Sequence, residues 1–138
     1  MILLDTNVLS ALMRATPDPV VVAWLNAQVP ESVWTTTINV FEVEFGLAVM
    51  DAGRRRKALA RAFAQLVRED LAGRIAHFDT AAASAAGELA GRRQRLGRPV
   101  DFRDTQIAGV ALARRANMAT RNIRHFNDLD PAPINPWG

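Results

Sequence analysis

Hydrophobic and polar positions alternate along the chain in blocks rather than residue by residue. Three aliphatic residues, Ile2 to Leu4, read as a short buried strand and break at Asp5. "TNVLSALMR" then spaces its apolar side chains as a helix does, with Thr6 or Asn7 expected near the cap. "DPVVVAWLNAQ" predicts a second helix, with Asp18 as cap and Pro19 at its first position. The β-branched run "SVWTTT" predicts a strand, whereas "INVFEVEFGLAVM" is too long and too apolar for one and predicts a buried helix. A long arginine-bearing helix is expected over Arg54 to Leu71, a short strand at "RIAHF", and an alanine-rich helix at "AAASAAGELAGRRQRLG", closed by Gly97 and Pro99. A helix from Asp101 to Ala116, a short strand "NMAT", a one-turn element around "RNIRHF" and a proline-rich tail complete the pattern. Strands separated by helical stretches imply βαβ units, and hence an α/β fold whose parallel sheet is covered on both faces. In such sheets ligands gather at the carboxyl ends of the strands, so acids standing there are the first candidates for chemistry.

Size and composition narrow the classes. At 138 residues and 49% hydrophobic content, the chain suits one domain, residues 1–138, around one substantial core. The strand pattern starts at residue 2 without a basic leader, and no apolar run nears the ~20 residues of a membrane span; a cytoplasmic protein with no membrane partner is expected. The lack of cysteine excludes disulfides, thiolate catalysis and cysteine-ligated metals, and the only histidines are His77 and His125. Any metal would therefore be held mainly by oxygen. The net charge of +3 comes from sixteen arginines and one lysine, many of them in "GRRRKALAR" and "GRRQRLGR". Guanidinium forks match phosphate oxygens, which makes an anionic polymer a candidate partner; the plainer reading is solvated helix faces.

The acids differ in what their surroundings demand. Asp5, at the end of a buried strand, is costly as an ion unless something pairs with it, although a helix cap would also account for it. Glu42 and Glu44 stand two apart on one helix and so point to nearly opposite sides; periodicity does not choose between them. Asp104 extends the stripe formed by Ile107, Ala108, Ala111 and Leu112 and so faces inward, while Asp101 is better placed to cap. Thr120, Arg121 and Asn122 follow the last strand. Asn122 could serve as a helix cap, and His125 as a packed or exposed imidazole. Were the acids to converge, two carboxylates ~5 Å apart would repel by about 3 kcal/mol at an effective dielectric of ~20. A hard divalent cation, Mg²⁺ or Mn²⁺, would answer that repulsion and would also bind phosphate.

With these residues in view, the chain resembles the PIN-domain ribonucleases, in particular VapC-type toxins of bacterial toxin-antitoxin pairs and the related FitB proteins. "LLDTNVLSAL", "TTINVFEVEFGL", "DFRDTQIAGVALA", "ATRNIRHF" and the closing "NPW" carry the likeness, in order, over nearly the whole chain. The resemblance implies a PIN-like three-layer sandwich and an acidic triad of Asp5, Glu42 and Asp104, selecting Glu42 over Glu44. It also implies Mg²⁺ as cofactor (Mn²⁺ as substitute), RNA as substrate, a homodimer, and a VapB-like antitoxin as partner. Many relatives have a fourth acid in the last motif; this chain has Asn122 there, and His125 where aspartate is frequent, a departure that counts against a second metal. On this reading Asp5 and Asp104 hold the cation, Glu42 holds a water or acts as base, Thr6 bonds the scissile phosphate or a water, Asn122 orients a water, and Arg121 grips the RNA backbone.

Two rival readings remain. In the first, Asp5 is a phosphate-accepting nucleophile. Haloacid-dehalogenase-like enzymes need a second aspartate where Asn7 stands, and receiver domains need a late lysine, whereas the only lysine is Lys57. In the second, the chain is a PIN domain that binds RNA, or acts with its antitoxin, without cutting.

Overall fold

The computed structural model describes residues 1–138. Four strands, β1 (Ile2–Leu4), β2 (Val33–Thr36), β3 (Ile75–Ala76) and β4 (Asn117–Ala119), form one parallel sheet in the order β3-β2-β1-β4. Six helices cover it: α1 (Thr6–Met13), α2 (Pro19–Asn26), α3 (Thr37–Ala48), α4 (Arg54–Gln65), α5 (Thr80–Arg95) and α6 (Phe102–Arg114). Successive strand residues point to opposite faces. Leu4 and Ala119 accordingly pack with Val8, Val21, Val43 and Phe63 on one side, and Leu3 and Met118 with Leu89, Ile107 and Phe126 on the other. The result is the three-layer α/β sandwich expected. No helix is long and apolar enough to cross a membrane.

Four departures from the pattern have a local cause. The cap of α1 is Asp5 and not Thr6 or Asn7, because the Asp5 carboxylate already accepts the Thr6 N–H at 2.8 Å. The long arginine-bearing helix is α-helical only to Gln65; Leu66–Asp70 forms one π turn, with Leu71 N–H donating to Leu66 O at 2.9 Å. Closing the turn over five residues brings Leu66 and Leu71 to the same side, and both are buried. The "SVWTTT" strand stops at Thr36, whose hydroxyl accepts the Asn39 N–H and starts α3. The proline-rich tail is not a plain exit, since Ile134 bridges Ala119 in parallel.

Two close contacts fix the helix that carries Asp104. At Gly109 of α6 an added Cβ would lie 2.6 Å from the Ala86 Cβ and 2.5 Å from the Ala82 carbonyl oxygen, so α5 and α6 approach as only a glycine facing alanines allows. Further along α5, Arg93 lies within the arginine-rich run read above as phosphate-binding or solvated. It is neither, being 3% exposed. Its guanidinium donates to both Asp128 oxygens at 2.8 and 2.7 Å, to Thr105 Oγ1 at 3.0 Å and to the His125 carbonyl at 2.8 Å. One side chain thus joins α5, the first turn of α6 and the segment after β4.

The pair is buried only at its arginine end, since Asp128 reaches solvent, so losing the guanidinium costs what hydrogen bonds to a charged group are worth, on the order of 1.5–3 kcal/mol. Arg93→Met should therefore lower unfolding stability by about 1.5–3 kcal/mol in denaturant titration at neutral pH. Bonding to Arg93 also holds the Asp128 carboxyl below its ordinary value. A depressed folded value means the stabilisation is complete above the unfolded carboxyl pKa of about 3.9 and disappears as pH falls through the lower folded one. The wild-type advantage over Arg93→Met should shrink in that acid range.

Candidate active site

The strand order places the site. From β1 the chain winds outward through β2 to β3 and then returns to the other side of β1 to lay down β4, which opens a crevice at the carboxyl ends of β1 and β4. Asp5 leaves β1 there, and its N–H is held by the Ala119 carbonyl at 2.9 Å. The side chain is 4% exposed. Three donors from three elements meet it: the Thr6 N–H on Oδ1 at 2.8 Å, the Asn39 amide on Oδ1 at 3.1 Å, and the Thr120 hydroxyl on Oδ2 at 2.7 Å.

Asn39 is fully employed. Its Oδ1 accepts the Thr36 hydroxyl at 2.6 Å, while Nδ2 donates to Asp5 and, at 3.0 Å, to Thr6 Oγ1. Thr6 in turn donates to Glu42 Oε1 at 2.8 Å. This chain of bonds connects the first acid to the second. Glu42 turns inward from α3 and Glu44 is exposed, so the helix makes the choice that periodicity left open. Burial raises the Glu42 carboxyl above its ordinary value against the pull of the Thr6 bond, and the charges of Asp5 and Asp104 raise it further. Arg103 stands 3.9 Å away on the solvent side and opposes them.

Asp104 is half-buried in the first turn of α6. Burial first and the Asp5 charge second raise its carboxyl, partly offset by His125, whose Nδ1 lies 2.7 Å from Asp104 Oδ2. His125 is exposed, within the packed-or-exposed reading, and its ring is also a direct partner of an acid. Asn122 is not a side-chain cap: its amide bonds nothing in the turn at Ile123–His125, its N–H donates to Thr120 Oγ1 at 3.0 Å, and the residue is exposed. Arg121 is exposed too, with its guanidinium 4.7 Å over the Trp137 ring. Trp137 is held in place because its Nε1–H donates to Asp18 Oδ2 at 2.9 Å, a bond that also lowers the Asp18 carboxyl.

Asp5, Glu42 and Asp104 thus share one neighbourhood, in which the Asp5 charge acts on both other acids and that of Asp104 on Glu42. No three His, Asp or Glu side chains are disposed to hold an ion among them as they stand. The donor chemistry nevertheless suits a hard dication, being carboxylate oxygen from three segments with no sulfur. Beside the acids runs a groove of about 630 Å³ bordered by Thr6, Glu42, Val43, Leu47, Arg121 and Trp137. Sequence reasoning missed Asn39 and Thr120 as parts of the site. Their only signal was polarity within otherwise apolar segments, next to predicted strand ends.

Residues 2–130 match the sequence profile of the PIN domain. The chain is 39% identical over 137 residues to the VapC ribonuclease Y4jK of Sinorhizobium fredii, covering 99% of this chain and 98% of that one. It is 34% identical over 137 residues to Toxin FitB of Neisseria gonorrhoeae, covering 99% of each. The crystal structure of FitAcB from Neisseria gonorrhoeae superposes with a TM-score of 0.88 at 34% identity, over 99% of both chains.

The Asp5 bonds set a stability test that does not depend on catalysis. Thr120→Val keeps shape but removes the donor to a buried carboxylate oxygen, a loss on the order of 1.5–3 kcal/mol for a hydrogen bond to a charged group. Chemical denaturation should show that loss, and Thr120→Ser should recover most of it.

Proposed function

The chain belongs to the PIN-domain family, and from that premise we propose that it is a Mg²⁺-dependent endoribonuclease acting as the toxin of a type II toxin-antitoxin pair. One observation supports this most: Asp5, Glu42 and Asp104, from three distant segments, meet at the carboxyl ends of β1 and β2 and the start of α6, where charge and burial raise the last two carboxyls.

These three carboxylates would hold Mg²⁺, or Mn²⁺ in its place, which when bound stabilises charge on the attacked phosphate and acidifies the attacking water. Mg²⁺ commonly takes one or two carboxylates and keeps several waters, so the residues need not all close on it directly. Glu42, its carboxyl raised and its Oε1 bonded by Thr6, would take a proton from the attacking water as the new P–O bond forms, the scissile P–O bond breaking with its electron pair to the leaving oxygen, which is protonated from solvent. Thr6 bonds a phosphate oxygen or a water when it turns from Glu42. Asn122, whose amide is free at the rim, orients a water where relatives place an acid. Arg121, steadied on Trp137, positions the RNA backbone. The groove beside the acids, apolar along Val43, Leu47 and Met50, suits a segment of a VapB-like antitoxin.

Asp5→Asn and Asp104→Asn should each reduce cleavage of RNA in Mg²⁺ by at least about 100-fold, the scale of a lost charged catalytic group. Because a ligand stabilises the state that binds it, Mg²⁺ should raise the melting temperature of the wild type and leave that of Asp104→Asn unmoved. Cleavage surviving in Asp5→Asn would remove the triad assignment. The non-cutting alternative is supported by Asn122 in place of an acid, and it would be preferred if the wild type bound RNA but cut none with either metal.

A homodimer belongs to the same proposal. Phe41 and Phe45 stack on the outer face of α3 with centroids 6.1 Å apart, each more than half exposed, and Val49 continues the stripe. An exposed apolar stripe of this kind is characteristic of an interface. Phe41→Ser with Phe45→Ser should convert a dimer to a monomer by light scattering, without lowering the melting temperature of the protomer.

A further inference from the structure

The arginine run at the end of α5 takes no part in the site just described. Arg93 of that run is structural, but its neighbours are not. Arg92, Arg98 and Arg124, with Asn127 and Asp128, border a recess of about 50 Å³ between the end of α5 and the Ile123–His125 turn. All three arginines are exposed and none is in an ion pair. The one acid on the rim, Asp128, is already engaged by Arg93.

Compensation of a helix dipole explains cations in the last turn, and Arg92 could be there for that reason alone. It does not explain the other two. Arg98 lies beyond the helix, past Gly97 at φ +68°; its N–H is tied to the Arg93 carbonyl at 2.8 Å and its guanidinium to Asn127 Oδ1 at 3.1 Å. Arg124 arrives from a segment that follows β4. Cations from separate segments therefore converge on a hollow too small for a protein anchor, with Leu96 and Val100 as its only apolar side chains.

The position of the hollow matters as much as its charge. One short segment carries Arg121 on the groove, His125 against Asp104, and Arg124 on the recess. Arg93 then clamps the recess to the acids through Thr105, next to Asp104, and through the His125 carbonyl. Groove, acids and recess are thus joined through one short segment of chain.

We propose that this recess is a second phosphate-binding site, in which Arg92, Arg98 and Arg124 hold the RNA backbone beyond the bond at the acids. The inference rests on the ribonuclease reading, but it is tested by binding and so separates from it. The probe is a fluorescein-labelled single-stranded RNA, followed by anisotropy with EDTA present so that nothing is cut. Three arginine-phosphate contacts contribute about 2 to the slope of log affinity against log salt, at ~0.7 each for single strands. The triple variant Arg92→Gln, Arg98→Gln, Arg124→Gln should lose that much of the slope, with a melting temperature equal to that of the wild type. A control with Arg61→Gln, Arg68→Gln and Arg115→Gln, exposed elsewhere, should keep the full slope. Equal slopes in wild type and recess variant would overturn the site even if the protein cuts RNA, as would an equal drop in the control, which would mean net charge alone. A recess variant that binds a poly-glutamate peptide less well but RNA as before would overturn it in favour of an acidic protein partner. RNA bound with the expected loss of slope but never cut would leave the recess standing and remove the ribonuclease reading.

Discussion

An acidic side chain buried at the end of a central strand is the constraint from which the rest of this architecture follows. Removing such a group from water costs several kcal/mol even after relaxation. Charge-assisted hydrogen bonds return on the order of 1.5–3 kcal/mol each, so about three are needed to offset it. Asp5 has three: one from the helix it begins, one from Asn39 beyond β2 and one from Thr120 beyond β4. Only a sheet with β1 between β2 and β4 brings both neighbours' carboxyl ends to that point. The strand order and the site are therefore one solution to one electrostatic problem, and Thr35, donating to the Leu4 carbonyl at 2.8 Å, closes the same corner.

The other two acids are treated differently. Glu42 and Asp104 gain single close partners, Thr6 and His125, with Arg103 only at 3.9 Å from Glu42, and both carboxyls remain raised. The fold satisfies one carboxylate and leaves two under strain beside it. That asymmetry has a chemical use, since a rigid first acid gives fixed geometry, whereas acids with raised affinity for protons also respond most to an incoming cation. It also has a cost in stability, of the kind functional sites impose on folds.

Much of this was legible along the chain. Strands and helices followed from apolar periodicity and from the caps at Asp18 and Asp101, because those signals are local. The inward face of Asp104 followed from its helical stripe. The limits of that reading were physical. Glu42 and Glu44 are equivalent within α3's own pattern, and what distinguishes them is distant in sequence: Thr6, 36 residues away, and Arg103. Thr120 reaches Asp5 across 115 residues and Asn39 across 34, pairings that no local pattern encodes. The π turn at Leu66–Asp70 trades a regular helix for the burial of two leucines, and such a trade is decided by the core rather than by the segment.

The arginines carry this point furthest, because residues identical in sequence end in opposite environments. Arg92 and Arg93 are adjacent, yet one faces solvent and the other is 3% exposed with every group it touches accounted for. A lysine in its place would offer a single ammonium, unable to reach a carboxylate, a hydroxyl and a carbonyl on three elements at once. The planar fork does so, and it holds the His125 backbone while the His125 ring meets Asp104. The geometry of the third acid is thus set from α5, a helix that contributes no residue to the acidic cluster. A chain poor in histidine and free of cysteine has built its rigid corner from guanidinium, hydroxyl and amide hydrogen bonds, and arginine is the residue that can serve both as a bracket inside that corner and as a counter-charge outside it.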